Sequence, residues 1–199
     1  MIFRLFVVIG FFIALGIQAF VWLATYHFDW IKPMVTALGI KSTNVFQIFY
    51  HVSDLCILGY FYSMIIKKFS LVKWLGFSLA AACVVNYLFI EGPHVYGVFN
   101  PNVDAFFNFL FPMIYMWGLF NSPSLVPITK NPFFWFCLGL IIANLLSLFM
   151  FFVGDKLFKT DFPLYVKIFY VSNLSSILGY VFYCIGFYYS RYAKYLPQN

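Results

Sequence analysis

The sequence predicts an all-α, polytopic helical membrane protein, and three observations predict it. Of its 199 residues, 64% are hydrophobic and only 9% are charged, whereas a soluble domain carries about 25% charged residues. Mean hydropathy is +0.90, which leaves too little polar surface to cover a soluble globule. The apolar residues fall in runs of about 20, the length that crosses a hydrocarbon core of roughly 30 Å. These runs do not alternate with period two, so helices, whose backbone groups bond internally, are favoured over a barrel.

Six transmembrane helices are expected in one domain, 1–199, near residues 4–26, 45–66, 71–91, 104–121, 133–153 and 164–190. In the first, Arg4 precedes an apolar run from Leu5 to Thr25. That run is long for a signal peptide and lacks a small-x-small cleavage site, so it is expected to be a retained span. Asp29 to Asn44, with Pro33, reads as a connection to the second span, which stops at Lys67-Lys68. The third ends before Gly92-Pro93, and Asn100-Pro101-Asn102 reads as a turn before the fourth. Pro112 inside the fourth span kinks it or frees a carbonyl. Asn121 to Pro132 and Asp155 to Pro163 read as the last two connections. Tyr188, Tyr189, Tyr192 and Tyr195 crowd the end of the sixth span beside Arg191, as an interfacial aromatic belt does.

Orientation follows from the basic residues. With the N-terminus inside, Arg4, Lys67, Lys68, Lys73, Lys130, Arg191 and Lys194 are cytoplasmic, against Lys32, Lys41, Lys156, Lys159 and Lys167 outside. Asp29, Glu91, Asp104, Asp155 and Asp161 all fall outside. The expectation is N-in and C-in, in a bacterial inner membrane. The net charge of +6 is spread over several loops with no dense patch. It therefore points to anionic lipid at the inner leaflet, not to direct nucleic-acid binding.

The informative residues are the polar ones at membrane depth. In the second span Gln47, His51 and Asp54 lie at i, i+4 and i+7, one helix face, and Tyr50 shares the side of Asp54. Asp54 lies about nine residues from the outer end of its span, roughly 13 Å deep. A carboxylate there needs a partner, a wet cavity or a proton, so Asp54 with His51 as its hydrogen-bond partner is the leading candidate site. Asn86, Asn108, Ser172, Asn173 and Ser176 complete the candidate pocket, and Gln18, Asn144 and Ser175 are further polar groups within spans. Alone, such an Asn or Ser reads as an interhelical hydrogen bond of about 0.6 kcal/mol.

Residues 48–60, IFYHVSDLCILGY, echo residues 168–180, IFYVSNLSSILGY, at seven of thirteen positions. The two segments enter their spans from the same side, which admits repeated helical hairpins formed by spans 1–2, 3–4 and 5–6. Cys56, Cys83, Cys137 and Cys184 all lie in apolar spans and form no CxxC, so neither a zinc site nor a disulfide framework is expected. The chain has no GxSxG, HExxH or Walker loop, and no lysine in mid-span. No cofactor, metal or catalytic residue is therefore expected.

Four stretches, VFQIFYHVSDLCILGYFYSMI, NYLFIEGPHVYGVFN, NPFFWFCLGLII and IFYVSNLSSILGY, give the chain a resemblance to a family of small bacterial membrane proteins of about seven spans. The family's acid in span 2 falls on Asp54, and its Pro-x-x-Trp on Pro132 and Trp135, with a glycine on Gly139. The chain departs from the pattern where the family has a further N-terminal span, a span 4 acid (Phe107 here), and a His and an Asn in the last span (Ser172 and Ser176 here). The resemblance implies no known activity and suggests a sensing or accessory module by analogy.

The expected function is thus a non-enzymatic accessory or sensor protein. An outward polar pocket would respond to a ligand or pH, and a basic inner face would bind a cytoplasmic protein partner. One specific form is the membrane accessory of an RNA-targeting CRISPR system. A small proton-coupled transporter or channel, with homo-oligomerisation, is the alternative. A lipid-modifying membrane enzyme using Asp54, His51 and Glu91 is the second.

Overall fold

A computed structural model describes residues 2–37, 44–66, 71–91, 99–121 and 127–190. Seven α-helices account for most of them: α1 (Ile2–Tyr26), α2 (Phe28–Ala37), α3 (Asn44–Ile65), α4 (Val72–Val85), α5 (Phe99–Asn121), α6 (Pro132–Thr160) and α7 (Phe162–Ser190). A π-helical turn, Asn86–Ile90, prolongs α4, and a 3₁₀ turn, Ile128–Lys130, precedes α6. No strand occurs among the described residues. The chain is an all-α helical membrane protein, with five helical stretches long and apolar enough to span a bilayer: Gln47–Ile65, Val72–Ile90, Phe99–Asn121, Pro132–Gly154 and Phe162–Ser190. The expected first span coincides with α1, where the apolar stretch that can be described, Val7–Ile17, is shorter than a crossing.

Three boundaries differ from the sequence expectation. The stretch from Asp29, expected to be a connection, instead opens with α2, which carries Pro33 within it and packs on α1. Around its start His27 lies between Trp22 and Trp30, each ring centroid 4.8 Å away. Helix α5 begins at Phe99, five residues before the expected span, with Pro101 in its first turn. Proline costs little there, because first-turn N–H groups have no intrahelical partner. The expected connection 155–163 is reduced to Asp161, since α6 runs to Thr160 and α7 starts at Phe162. The Asp161 N–H donates to the Leu157 carbonyl at 2.8 Å, and its side chain accepts the Leu164 N–H at 3.0 Å. One residue thus ends one helix and caps the next.

The helices group into two compact units, residues 1–104 and 105–199. In the first, α3 packs against both α1 and α4. Its contact with α4 closes on glycine: a Cβ on Gly59 would sit 3.1 Å from the Gly76 Cα, and one on Gly76 would sit 2.6 Å from the Leu55 carbonyl oxygen. In the second unit, α6 and α7 form an antiparallel pair. Gly139 meets Gly179 and Tyr183, Phe136 meets Gly186, and Gly154 meets Tyr165. The two echoed segments share this feature, since Gly59 and Gly179 occupy the same place in ILGY and each lies at a glycine-to-glycine approach. Lipid is as apolar as leucine, so such close backbone packing is a principal source of helix association in a membrane. The α6–α7 pair matches the expected hairpin of spans 5 and 6. The tightest approach in the first unit, however, joins spans 2 and 3.

Candidate functional site

The first unit carries a buried polar cluster built by α3, the π turn and the start of α5. His51 is the eighth residue of α3, roughly 10 Å along its axis, and Asp54 lies roughly 15 Å along it, both within the apolar stretch Gln47–Ile65. Asp54 is 3% exposed. His51 Nδ1 lies 2.7 Å from Asp104 Oδ2, with both side chains largely buried. Two lone pairs do not approach so closely without a proton between them. Either the imidazole N–H donates to the carboxylate, or a carboxylic acid donates to the imidazole. Tyr50 sets its ring edge against the imidazole, with centroids 5.4 Å apart.

The second part of the cluster is a clasp between α4 and α5. In a π turn the residue at i+5 comes round over residue i, which an α-helix does not do. The Glu91 N–H donates to the Asn86 carbonyl at 2.9 Å, and the Asn86 side-chain amide donates to Glu91 Oε2 at 2.7 Å. The other carboxylate oxygen, Oε1, accepts the Phe99 N–H at 3.2 Å. Glu91 therefore places negative charge at the positive end of α5 and bonds one of its open donors. Asn86 also donates to Asn100 Oδ1 at 3.3 Å. Asn100 and Asp104 are one turn apart on one face of α5, and both are buried. Cys83, one turn before Asn86 and fully buried, lies within electrostatic reach of Asp104 and Glu91.

Of the residues expected to form the pocket, His51, Asp54, Tyr50 and Asn86 belong to this cluster or adjoin it. Gln47 lies half-buried one turn before His51 on α3. Asn108, Ser172, Asn173 and Ser176 belong to the second unit. There Asn108 is buried, Asn173 is exposed, and the Ser176 hydroxyl donates to the Ser172 carbonyl of its own helix at 3.1 Å. The sequence expectation gave His51 to Asp54, which lies within its electrostatic reach, and the structure adds a hydrogen bond to Asp104, 53 residues away. It also adds Glu91 and Asn100, read from sequence as span end and turn. Gln18 lies outside the residues whose side chains are described.

Chemically the cluster is acid-rich. Asp54 and Asp104 act on one imidazole, Glu91 lies in the adjoining clasp, and neither α3 nor α5 carries a lysine or arginine. Such a set can hold, exchange and share protons, and can accept hydrogen bonds from a polar ligand. Among the described residues no group of three His, Cys, Asp or Glu is placed to hold a metal ion. The chain matches no family model, no curated protein and no solved structure.

Proposed function

We propose that this chain is a non-enzymatic accessory or sensor protein of the bacterial inner membrane. In this reading it lies N-in and C-in, with the polar cluster toward the outer face and the basic loops toward a cytoplasmic protein partner. The observation that carries the reading is the His51–Asp104 contact, a titratable pair held between two membrane helices beside a second buried acid, Asp54. A charge at such depth costs about 3 kcal/mol or more, so it persists where it has a task. The pair joins α3 to α5, so its state is coupled to helix position, which a sensor requires. A proton-coupled transporter is the second reading. Asn100, Asp104 and Asn108 at i, i+4 and i+8 make a buried polar file along α5 that favours it.

In-membrane crosslinking of tagged protein, followed by mass spectrometry, tests the choice. A recurrent soluble partner whose capture changes in Asp104→Asn supports the sensor. Self-crosslinks alone, with proton flux in liposomes, would replace it by the transporter.

A further inference from the structure

We infer that the ligand of this cluster is the proton itself, exchanged at His51, Asp54 and Asp104 in a site whose geometry is set by the Glu91 clasp. The inference rests on reading the cluster as the working site and names what it responds to. Its first support is the composition of the surroundings. Among the described residues, His51 has Tyr50 beside it on its own helix, Asp104 at 2.7 Å on α5, and Asp54 within electrostatic reach, while Cys83 on α4 lies within electrostatic reach of Asp104 and of Glu91 at the end of the π turn. Helix α1, also packed on α3, has only Arg4 and Tyr26 as titratable groups, one at each end. With the imidazole neutral and both aspartates ionised, the His51–Asp54–Asp104 set carries two negative charges, and neither α3 nor α5 supplies it a lysine or arginine. Each proton gained brings a buried site closer to neutrality, which a low-dielectric surrounding favours. Interacting groups of this kind titrate as a set, not singly.

The second support is how the clasp fixes the pair. Glu91 bonds the first N–H of α5, and Asn86 bonds Asn100, so the first two residues of α5 are fastened to the end of α4. Asp104 is one turn beyond Asn100 on the same face. The rotation and height of α5 that put Asp104 Oδ2 at 2.7 Å from His51 are therefore set at Glu91. Glu91 is a positioning residue, since it acts on His51 through α5.

The test is solid-state nitrogen NMR of histidine-labelled protein in bilayers, titrated from acid to alkaline. The chain has three histidines, and His51→Gln identifies the signals of His51. Wild type is expected to show His51 nitrogens that change with pH and a strongly hydrogen-bonded Nδ1. Asp104→Asn should abolish that signature, and Asp54→Asn should displace the titration midpoint. Glu91→Ala should weaken the Nδ1 signature, with Glu91→Gln intermediate, because its amide oxygen still accepts the Phe99 N–H while its amide nitrogen opposes Asn86. A general loss of packing would not be graded by Gln. A His51 spectrum that is constant with pH in wild type overturns the inference even if every variant fails to fold. So does a Glu91→Ala spectrum identical to wild type. A titrating His51 without a recurrent partner leaves the proton site standing and overturns the accessory reading. A recurrent partner with a constant His51 does the reverse.

Discussion

Gly139→Ala should separate α6 from α7. A Cβ at position 139 would lie 2.6 Å from Tyr183 Cε1, 2.8 Å from its Cδ1 and 2.8 Å from the Gly179 carbonyl oxygen. Real Cβ atoms do not tolerate contacts under 3.0 Å. The Tyr183 ring is 5% exposed and has little room to swing aside, and the Gly179 oxygen is backbone, so relief requires the helices to move apart. Overpacking of this kind costs about 1–3 kcal/mol. The intrinsic preference of a helix for Ala over Gly returns about 1 kcal/mol at most, so the expected net loss is about 0–2 kcal/mol, up to roughly a thirtyfold shift in the unfolding equilibrium. Gly10→Ala is the control, since nothing lies within 4 Å of its Cβ position, and it should be neutral or mildly stabilising. Gly179→Ala meets the Gly139 oxygen at 2.8 Å and the Ala143 Cβ at 2.9 Å. It strains the same contact, and the double variant should lose less than the sum of the two singles. Equilibrium unfolding in mixed micelles reads all four proteins. Equal midpoints for Gly139→Ala and Gly10→Ala would refute the close approach and the pairing built on it.

Three further outcomes are expected. His51→Leu leaves the Asp104 carboxylate buried without its imidazole and should cost about 3–5 kcal/mol, whereas His51→Leu with Asp104→Leu should recover most of that loss; the same unfolding assay gives the cycle, and a double variant no better than the single would show that the pair is not the coupled unit. Asn131→Ala removes the side-chain oxygen that accepts the Phe133 N–H at 2.9 Å and the amide that donates to the Tyr115 hydroxyl at 3.0 Å, so α6 should lose about 1 kcal/mol of capping, whereas Asn131→Ser should retain most of it. Trp135→Phe keeps a ring stacked between Phe182 and Tyr189 but loses the indole N–H donated to the Thr129 carbonyl at 2.7 Å; hydrogen exchange should quicken at the Lys130 and Asn131 amides, which bond within that turn, and unchanged exchange would show that the indole does not hold it.

Fold class and most span positions were legible because both depend on local properties, namely run length, charge and helical backbone satisfaction. What misled was punctuation. Pro33 and Pro101 read as breaks, yet one lies inside α2 and the other in the first turn of α5, where proline is tolerated. Moving the start of α5 back to Phe99 carries Asp104 from a loop edge to a buried helical face, and with it a hydrogen-bond partner of His51. That partner is 53 residues away, and no periodicity within one helix encodes a contact between helices. The π turn was equally hidden, since it depends on Glu91 finding both Asn86 and the Phe99 N–H. A signal for Asp104 did exist: Asn100, Asp104 and Asn108 repeat every four residues, the same argument that singled out Gln47, His51 and Asp54. The echo of ILGY was also readable, but the approach of each of its glycines to a glycine on another helix was not.

The distribution of chemistry within each unit bears on function more than the count of polar residues does. In the second unit, Asn144, Ser147 and Ser176 donate to carbonyls of their own helices, and its α6–α7 pair is closed by glycine and aromatic packing. Such contacts resist rearrangement, because separating α6 from α7 leaves these side-chain bonds within their own helices. In the first unit, Asn86, Asn100, Glu91, His51 and Asp104 bond between segments, and three of these five can change charge. Adding or removing a proton there changes what holds α3, the π turn and α5 together, a change of kind that glycine packing cannot undergo. A chain that only needed a stable bundle could have used the second pattern throughout. The first pattern, with its desolvation cost, is what the proton-responsive element proposed above would require.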